Sequence, residues 1–371
     1  MRVLVTGSAG FIGSNLLVHL RQKGEFDIRT YQRGQDLALL AREARQADVI
    51  VHLAGANRLD QGQDFKRDTV DLTRALCDAA RRADNPAAIY FASSRQIGNG
   101  SHYAASKQAA EAALQEYAID TRAMVGIDRL PNVFGKWARP NYNSVFATFC
   151  YNIARGLPIR CDDPEVVVEA VYIDDLCESI CAFIRSAADG HGDVLIGTYP
   201  VHSITVGELA DVISGIRDAR EALMTDRVGH GFIRAINSTY LSYLPLKDIA
   251  LPLKCYRDAR GAFVEMLKTP DCGQVSFFTA GPGVTRGGHY HHTKTEKFLV
   301  VHGKARFRFK HMLTGERHEF EADGQAPTVV DTIPGWLHDI TNIGSEELLV
   351  LLWANEIFDP SRPDTFASNL E

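Results

Sequence analysis

The first fifteen residues, MRVLVTGSAGFIGSN (1–15), decide the fold of the first half of this 371-residue chain. The apolar run at residues 3–5 has the composition of a buried strand. Three glycines follow it, Gly7, Gly10 and Gly13, and apolar residues with helical spacing come directly after them. A strand, a glycine turn and a helix in this order are typical of the first unit of a doubly wound parallel sheet.

The sequence downstream of this turn alternates between strand-like and helix-like segments. Strands are predicted at residues 26–31, 48–53 and 88–92, and helices at residues 14–23, 38–46 and 69–82. Because parallel strands need a crossover between them, this alternation predicts an α/β Rossmann-type doubly wound sheet with helices on both faces.

The pattern changes after about residue 245. Strand-like runs at residues 274–278, 297–301, 305–309 and 348–353 are separated by Gly, Pro and Asp turns, without long helical periodicity. Many short strands with turn signals predict an all-β barrel or sandwich. The Leu- and Pro-containing segment at residues 244–252 is predicted to be a linker, which gives two domains, residues 1–245 and residues 246–371.

The overall composition excludes several classes of protein. Hydrophobic residues make up 45% of the chain and charged residues 23%, which is typical of a globular protein, and the net charge of −6 argues against nucleic acid as a partner. The seven cysteines form no CxxC pair, which is typical of a reducing compartment. No segment reaches the ~20 apolar residues of a membrane span. We therefore expect a cytoplasmic protein without membrane insertion.

The glycine turn predicts a dinucleotide-binding site. Gly7 and Gly10 allow the backbone to turn tightly and to approach a pyrophosphate, and Gly13 allows the helix to pack close to the strand. The N–H groups at the start of the helix, which includes Phe11 and Ile12, would face the phosphates together with the positive end of the helix dipole. The alternative is a glycine-rich turn without a ligand.

The end of the second predicted strand bears on the choice of dinucleotide. NAD sites usually place an acidic residue there, where it binds the ribose 2′-hydroxyl. Here the sequence reads TYQR at residues 30–33, and an arginine suits the 2′-phosphate of NADP. Arg33 therefore predicts NADPH as the cofactor, unless it is an ordinary solvated arginine.

A serine, a tyrosine and a lysine follow the fourth predicted strand. Ser94 comes just after this strand, and Tyr103 and Lys107 lie one helical turn apart on one face. A phenol with a pKa near ~10 is a poor acid at neutral pH, but a neighbouring ammonium lowers that pKa. We predict that Tyr103 protonates a ketone oxygen during hydride transfer. Ser94 would bind that oxygen, and Lys107 would also hold the nicotinamide ribose.

These residues resemble the extended short-chain dehydrogenase/reductase family of sugar-nucleotide enzymes. Further matches are HLAG at residues 52–55, RLPNVFG at residues 129–135 and VYIDDL at residues 171–176. The resemblance implies that Leu53 and Ala54 contact the cofactor and that Asn132 lies near the nucleotide sugar. The loop between Ser94 and Tyr103 is shorter than in most members of the family, so no substrate contact is inferred for it.

A histidine cluster marks the second half of the chain. Gly283, His289, His291, Glu296 and Gly303 resemble the first cupin motif, G(x)5HxH(x)4E(x)6G, along its whole length. Alternate residues of a strand face the same side, so His289 and His291 are predicted to point together into a barrel.

Two further residues complete the predicted ligand set, Glu296 on the next strand and His338 across the barrel. Three imidazoles and a carboxylate suit zinc or another divalent first-row metal. A second resemblance leaves another role open for His289. The stretches at residues 258–265, 274–276 and 286–290 resemble the metal-free 3,5-epimerases of deoxysugar nucleotides, where a histidine in this position is a general base. His289 is then either a ligand or a base, and Tyr290 is a candidate proton donor.

The whole chain resembles a family of bifunctional enzymes of bacterial capsular polysaccharide synthesis, which have a reductase head and a cupin tail. Matching stretches include GKW at residues 135–137, STYLSYLP at residues 238–245 and FDP at residues 358–360. The resemblance implies a homodimer and a UDP-linked 2-acetamido-2,6-dideoxy-4-ketohexose as substrate. The cupin would epimerise C3. The head would then reduce C4 with NADPH to UDP-2-acetamido-2,6-dideoxy-L-talose (UDP-N-acetyl-L-pneumosamine), a precursor of L-fucosamine.

The segment after residue 135 offers candidate contacts for the phosphates and rings of this UDP-sugar. They are Lys136, Trp137, Arg139, Asn141 and Tyr142. Arginine and lysine side chains are natural partners of a diphosphate. The alternative is an ordered surface loop without ligand contacts.

Carbonyl chemistry fixes the order of the two reactions. The C3–H of the sugar is acidic only while C4 is a ketone, so epimerisation must precede reduction. A metal in the barrel would assist as a Lewis acid. The alternative is a monofunctional NADPH-dependent ketosugar reductase, whose cupin only dimerises the protein and whose metal is structural.

Overall fold

The computed structural model describes residues 1–57, 64–189, 196–253, 255–258, 261–264, 267, 273–356 and 361–370. The chain forms two compact units. Unit 1 contains Met1–Val133 and Glu169–Ser203, and unit 2 contains Phe134–Val168 and Ile204–Glu371. The chain therefore passes between the units three times. The predicted domain boundary between residues 245 and 246 lies inside unit 2 and stays a prediction.

The helices and strands are as follows. The helices are α1 Phe11–Lys23, α2 Leu37–Gln46, α3 Leu72–Ala80, α4 His102–Thr121, α5 Val145–Ile153, α6 Ile173–Asp189, α7 Val206–Glu221 and α8 Gly231–Ser242. The first eight strands are β1 Arg2–Thr6, β2 Asp27–Tyr31, β3 Val49–His52, β4 Ala88–Ser94, β5 Val125–Leu130, β6 Asn132–Phe134, β7 Val167–Tyr172 and β8 His202–Thr205. The later strands are β9 Ala250–Pro252, β10 Cys255–Asp258, β11 Gly261–Val264, β12 Gln274–Ala280, β13 Thr285–Tyr290, β14 Glu296–His302, β15 Lys304–His311, β16 Arg317–Asp323, β17 Thr328–Asp331, β18 Trp336–Asn342, β19 Leu348–Ala354 and β20 Phe366–Ala367.

The main sheet of unit 1 has five parallel strands in the order β2-β1-β3-β4-β5. Leu4, Ile50 and Ile89 on its central strands are fully buried, as a sheet covered on both faces requires. The predicted Rossmann-type sheet is confirmed. The strand order reverses between β1 and β3, and such a reversal is where ligands bind open α/β sheets.

Ten strands of unit 2 form two five-stranded antiparallel sheets, β12-β19-β14-β17-β9 and β16-β15-β18-β13-β20, and β10 pairs with β11 in a separate hairpin. The ring of Phe298 in the first sheet lies 5.9 Å from the ring of Phe307 in the second, so the core of the barrel forms between them. The predicted all-β second half is confirmed. The segment at residues 244–252 is more than a linker, because Ala250–Pro252 pairs with β17 as an edge strand.

The elements predicted in the first half all form, with small shifts at their ends. A π-helical turn, Lys66–Asp71, comes before α3, so the helix predicted at residues 69–82 begins inside that turn. Helix α4 begins shortly after β4 because Ser101 accepts a hydrogen bond from the backbone N–H of Ala104 at 3.1 Å. None of the helices in the described part of the chain has the length and apolar character needed to cross a membrane.

A buried ion cluster fastens α7 to the first sheet inside unit 2. The carboxylate of Asp331 on β17 lies 2.5 Å from Lys297 Nζ and 2.8 Å from Arg220 Nε, and only 3% of the Asp331 side chain is exposed. Burial alone would raise the pKa of Asp331, but the two cations outweigh burial and lower the pKa. Each charge in the cluster therefore depends on the others.

Asp331→Asn is expected to lower the free energy of unfolding of unit 2 by about 3–5 kcal/mol, because two buried cations lose their anion. Urea unfolding followed by tryptophan fluorescence measures this loss, since Trp137, Trp336 and Trp353 all belong to unit 2. The control is Glu321→Gln, which breaks an exposed pair with Arg306 and should change stability little. Equal unfolding curves for the two variants would contradict a structural role for the cluster.

Candidate active sites

The glycine loop after β1 has room only for glycine at two positions. Gly7 has φ +67°, and a Cβ built on it would lie 2.7 Å from the backbone N of Ala54. A Cβ on Gly13 would lie 2.4 Å from the carbonyl oxygen of Gly7. Real Cβ atoms do not approach backbone so closely. The loop, the end of β3 and the start of α1 therefore pack against one another, which places Leu53 and Ala54 at the predicted cofactor site.

The start of α1 presents backbone donors at this site. Gly10 is the N-cap residue and contributes no side-chain hydrogen bond. The N–H groups of the first helical turn, including Phe11 and Ile12, have no partner within the helix. They can bind a phosphate together with the helix dipole. Arg33 is exposed two residues after β2 ends, which suits a contact with a ribose substituent.

The lysine of the predicted catalytic group is buried at the end of β4. Lys107 Nζ donates a hydrogen bond to the carbonyl oxygen of Ala92 at 2.7 Å and lies 4.7 Å from the ring centroid of Phe91. Burial lowers the pKa of Lys107 to about 8, and the negative charge of Glu111 opposes that change. The ammonium is therefore fixed against the strand that ends in Ser94.

The tyrosine differs from the prediction in its electrostatics. Burial raises the pKa of Tyr103, and its contact with the Ser94 hydroxyl partly offsets that rise. The predicted lowering of this pKa by Lys107 is absent, because the ammonium is directed to Ala92. Tyr103 is consequently protonated at neutral pH, which is the form that a proton donor needs. Ser94 and Tyr103 come together as predicted.

The predicted substrate contacts are divided between the two units. Asn132 lies in unit 1, is exposed and donates to the carbonyl oxygen of Glu169 at 3.0 Å. Lys136, in unit 2, is only 1% exposed. Trp137 has φ +70° and covers Gly335, where a Cβ would lie 2.6 Å from the indole. Lys136 is thus buried and Trp137 half-buried within unit 2, and their predicted contacts with the UDP-sugar stay a prediction.

The other three candidates in this segment lie nearer the surface. The guanidinium of Arg139 lies 4.8 Å from the ring centroid of Tyr142. Asn141 has φ +53° and its backbone N–H donates to Thr148 Oγ1 at 3.0 Å. Arg139 and Asn141 are exposed, and their contact with the UDP-sugar stays a prediction.

The four predicted metal ligands come together in unit 2. His289, His291, Glu296 and His338 each offer a ligand atom, and these atoms lie within 4.8 Å of one another. Glu296 Oε2 lies 3.1 Å from His291 Nε2 and 3.5 Å from His338 Nε2. His289 is half-buried and the other three are buried, so the cluster opens on the His289 side.

The chemistry of these donors fits a divalent metal. Burial lowers the pKa of His289 to about 3, helped by the neighbouring imidazoles of His338 and His291, so its ring is neutral. Burial would raise the pKa of Glu296, but the same two neighbours hold it well below its usual value. Both ring nitrogens of His338 lack a hydrogen-bond partner among the described residues, although the side chain is buried. A neutral imidazole with an unsatisfied nitrogen beside a carboxylate is a suitable metal ligand.

Two details of the cluster differ from the prediction. His338 does not lie across the barrel from His289, because β18 is the strand next to β13 and the two residues are direct partners. Tyr290 does not face the cluster, since successive residues of a strand point to opposite faces. Its ring packs 5.7 Å from the ring of Phe366 and 5.8 Å from that of His292. The geometry therefore gives no support to Tyr290 as the proton donor.

A β-bulge sets which side chains face the cluster. The pairing of β13 with β18 shifts between Gly287 and His289. Gly287 and Gly288 have φ values of +96° and +75°, which favour glycine. A Cβ on Gly287 would also lie 3.1 Å from Asp339 Cα. The bulge turns the following residue, His289, toward the cluster.

Two residues near the cluster, Lys294 and Asp364, were not predicted from the sequence. Lys294 Nζ lies 3.1 Å from Glu296 Oε1, and its position two residues before Glu296 in the motif was a usable signal. Asp364 lies far along the chain, and no spacing rule connects it with the histidines. Its carbonyl oxygen accepts a hydrogen bond from His291 Nδ1, which leaves Nε2 free to face Glu296.

The carboxylate of Asp364 fixes the loop between β13 and β14. It accepts hydrogen bonds from the backbone N–H groups of His292, Thr293 and Lys294 at 2.8, 2.7 and 2.6 Å. It also accepts one from Thr293 Oγ1 at 3.0 Å. One carboxylate thus binds three successive backbone N–H groups of the loop that joins His291 to Glu296, and Ser238 and Asn355 also contact this loop. Such outer contacts orient metal ligands.

Comparison with known proteins identifies the family. Residues 3–197 match the NAD dependent epimerase/dehydratase family, and residues 256–366 match the polysaccharide biosynthesis C-terminal domain. The chain belongs to the NAD dependent epimerase/dehydratase family.

Some residues of the predicted resemblances lie outside the described part of the chain. They are residues 259, 260 and 265 of the epimerase resemblance and residues 358–360 of the whole-chain resemblance.

Two relatives share the whole length of the chain. The UDP-2-acetamido-2,6-beta-L-arabino-hexul-4-ose reductase of Pseudomonas aeruginosa is 46% identical over 370 residues, which cover 100% of this chain and 99% of that protein. The crystal structure of the capsular polysaccharide assembling protein CapF from Staphylococcus aureus is 38% identical, with a TM-score of 0.65 and 100% of both chains covered. The predicted resemblance over the whole chain is confirmed.

A more distant likeness concerns the fold alone. The UDP-glucuronic acid 4-epimerase of Bacillus cereus is 19% identical, with a TM-score of 0.50, and covers 59% of this chain and 84% of that one.

Asp364→Asn is expected to weaken Zn²⁺ binding about 10–100-fold, because the variant loosens the loop between His291 and Glu296. Competition with a chromophoric chelator measures the affinity of the purified chain without any enzyme assay. Glu319→Gln, an exposed carboxylate of unit 2, is the matched control and should bind zinc like the wild type. Equal affinities for Asp364→Asn and the wild type would show that the side-chain contacts of Asp364 with the loop do not orient the ligands.

Proposed function

We propose that the protein is a bifunctional UDP-sugar enzyme. Its barrel epimerises C3 of a UDP-2-acetamido-2,6-dideoxy-4-ketohexose, and its Rossmann-type part then reduces C4 with NADPH. The product is UDP-2-acetamido-2,6-dideoxy-L-talose, on the route to L-fucosamine in surface polysaccharide. The observation that carries the proposal is that one chain holds two reactive groups, the Ser94–Tyr103–Lys107 group and the histidine–glutamate cluster. The name of the P. aeruginosa relative supports the substrate class.

Reduction at C4 is assigned to the end of β4 and the start of α4. NADPH, when bound at the glycine loop, supplies the hydride. Tyr103 is protonated at neutral pH because burial raises its pKa, and it donates its proton to the C4 oxygen. Ser94 contacts the Tyr103 hydroxyl and binds the same oxygen. Lys107 binds the nicotinamide ribose of the cofactor.

Epimerisation at C3 is assigned to the cluster of unit 2. We propose that His289, His291, Glu296 and His338 hold a divalent metal, with zinc as the first candidate. A metal held by these four residues would supply Lewis-acid polarisation of the C4 carbonyl. The C3–H is acidic only beside a ketone, so this step precedes reduction. A homodimer and a cytoplasmic location remain predictions.

The two reactions can be separated with one substrate in D2O. Incubation of a UDP-2-acetamido-2,6-dideoxy-4-ketohexose without NADPH is expected to place deuterium at C3, and the C4 alcohol should form only after NADPH is added. Tyr103→Phe should reduce C4 reduction by at least ~10²-fold and leave the exchange at C3 intact, because only the proton donor is removed. His338→Ala should lose the exchange at C3, and because epimerisation precedes reduction it should reduce only a ketosugar that is already epimerised at C3. NMR of the sugar reports both events.

Two other results of this experiment would contradict the proposal. Reduction without deuterium at C3 would support the monofunctional reductase with a structural cupin. Absence of reduction by the wild type would reject the proposal. For His289, the metal content of His289→Ala decides its role: lost metal supports a ligand, whereas retained metal with lost exchange supports a general base.

Arg33→Ala is expected to raise the Kd of NADPH about tenfold or more and to leave the Kd of NADH nearly unchanged, because only NADPH carries the 2′-phosphate. Fluorescence titration with each nucleotide measures both constants. Arg29→Ala, an exposed arginine on β2 that pairs with Asp27, is the matched control. If both Arg33→Ala constants stay at the wild-type values, the preference for NADPH does not depend on Arg33.

A further inference from the structure

Glu111 is a buried carboxylate that the proposed reduction does not use. It lies on α4, one turn beyond Lys107, and only 5% of its side chain is exposed. Its Oε1 accepts hydrogen bonds from Ser93 Oγ at 2.5 Å and from Arg129 Nε at 3.0 Å. Its Oε2 accepts one from Arg129 Nη2 at 2.7 Å. A carboxylate so buried is stable only while these donors stay in place.

The donors to Glu111 come from two neighbouring strands at the same level. Ser93 on β4 and Arg129 on β5 are direct partners in the parallel sheet. Ser93 stands between Ala92, whose carbonyl oxygen binds Lys107, and Ser94, whose hydroxyl contacts Tyr103. Helix α4 is therefore tied to the end of β4 at two adjacent points, by Lys107 and by Glu111.

We propose that Glu111 is a positioning residue of the reductase site, which locks the Ser94 end of β4 to the helix that carries Tyr103 and Lys107. This inference rests on the proposed reductase function. Glu111 does not touch the reacting atoms. It affects reduction indirectly, because it holds Ser94 in position and keeps Lys107 positively charged.

The electrostatic part of this role has a definite sign. The charge of Lys107 interacts with Glu111 on its own helix and with His52 on β3. Burial, together with Lys107, lowers the pKa of His52 to about 3, so His52 carries no charge at neutral pH. The Tyr103 hydroxyl is also neutral there. Glu111 thus supplies the negative charge that keeps Lys107 protonated, and Arg129 lies on the other side of that carboxylate.

Glu111→Gln is expected to lower the pKa of Lys107 by about 0.5–1, because the opposing negative charge is lost. Lys107 loses its proton as the pH rises through its pKa, so activity at alkaline pH should fall at a correspondingly lower pH. Competitive labelling of lysines with an amine-reactive reagent, read by mass spectrometry across a pH series, gives the Lys107 pKa in the full chain without any substrate. The pH profile of kcat for C4 reduction is the second measurement, and kcat should also fall about tenfold.

Two further variants keep the test decisive. Arg129→Gln leaves the carboxylate without its cation, so the Lys107 pKa should rise, opposite to the change in Glu111→Gln. Glu116→Gln, an exposed carboxylate on the same helix, is the matched control and should leave both measurements unchanged. The proposal is overturned if the Lys107 pKa in Glu111→Gln equals the wild-type value, or, where that variant does not fold, if Arg129→Gln leaves the pKa unchanged.

The labelling measurement also separates this inference from the proposed function. If the wild type reduces no 4-ketosugar, the reductase proposal fails, whereas the shift in Lys107 labelling still reports the coupling with Glu111. If the wild type reduces the sugar and the labelling does not shift, the reductase proposal stands and the role of Glu111 fails.

Discussion

Both candidate sites depend on ionisable side chains that are buried and must therefore be held by fixed partners. Lys107 is 6% exposed and is bound to the carbonyl oxygen of Ala92, while Glu296 is 4% exposed and contacts His291, His338 and Lys294. Leaving such a charge unpaired costs several kcal/mol, so its partners cannot move away freely. This energetic demand gives each site a preset geometry before any ligand arrives.

The same demand explains why the reactive groups lie at the ends of strands. The interior of a sheet offers few acceptors, because its backbone groups are already paired. Where a strand ends, carbonyl oxygens and side chains become available, as at Ala92 and Ser93 among the last three residues of β4. In unit 2, Glu296 begins β14 and His291 follows the last residue of β13. Packing of the apolar strands thus decides where charged groups can gather.

The sequence predicted those parts of the sites that depend on local geometry. Glycine spacing after β1 gave the loop in which Gly7 and Gly13 have no room for a Cβ, and motif spacing gave the four residues of the histidine–glutamate cluster. Side chains alternate along β13, and this rule predicted the direction of His289. The same rule places Tyr290 on the opposite face, but it was not used for Tyr290. That error was avoidable.

The remaining differences depend on contacts between distant segments, which no local pattern reveals. The order of strands decides that His338 is beside His289. Tertiary packing buries Lys136 and turns Ala250–Pro252 into a strand. Asp364 reaches the loop before Glu296 from about 70 positions away in the chain. The Tyr103 pKa differs for the same reason, since the direction in which Lys107 points depends on β4.

The bulge at Gly287 and Gly288 has a consequence for how this chemistry can be lost or acquired. Side chains alternate along β13, so a shift of one residue would exchange His289 with Tyr290 and present a phenol where an imidazole is needed. Gly287 and Gly288 therefore determine which residues of β13 face the cluster. A variant with a changed bulge would keep all four residues of the histidine–glutamate motif in its sequence and still fail to assemble the cluster, so the motif alone does not establish the site.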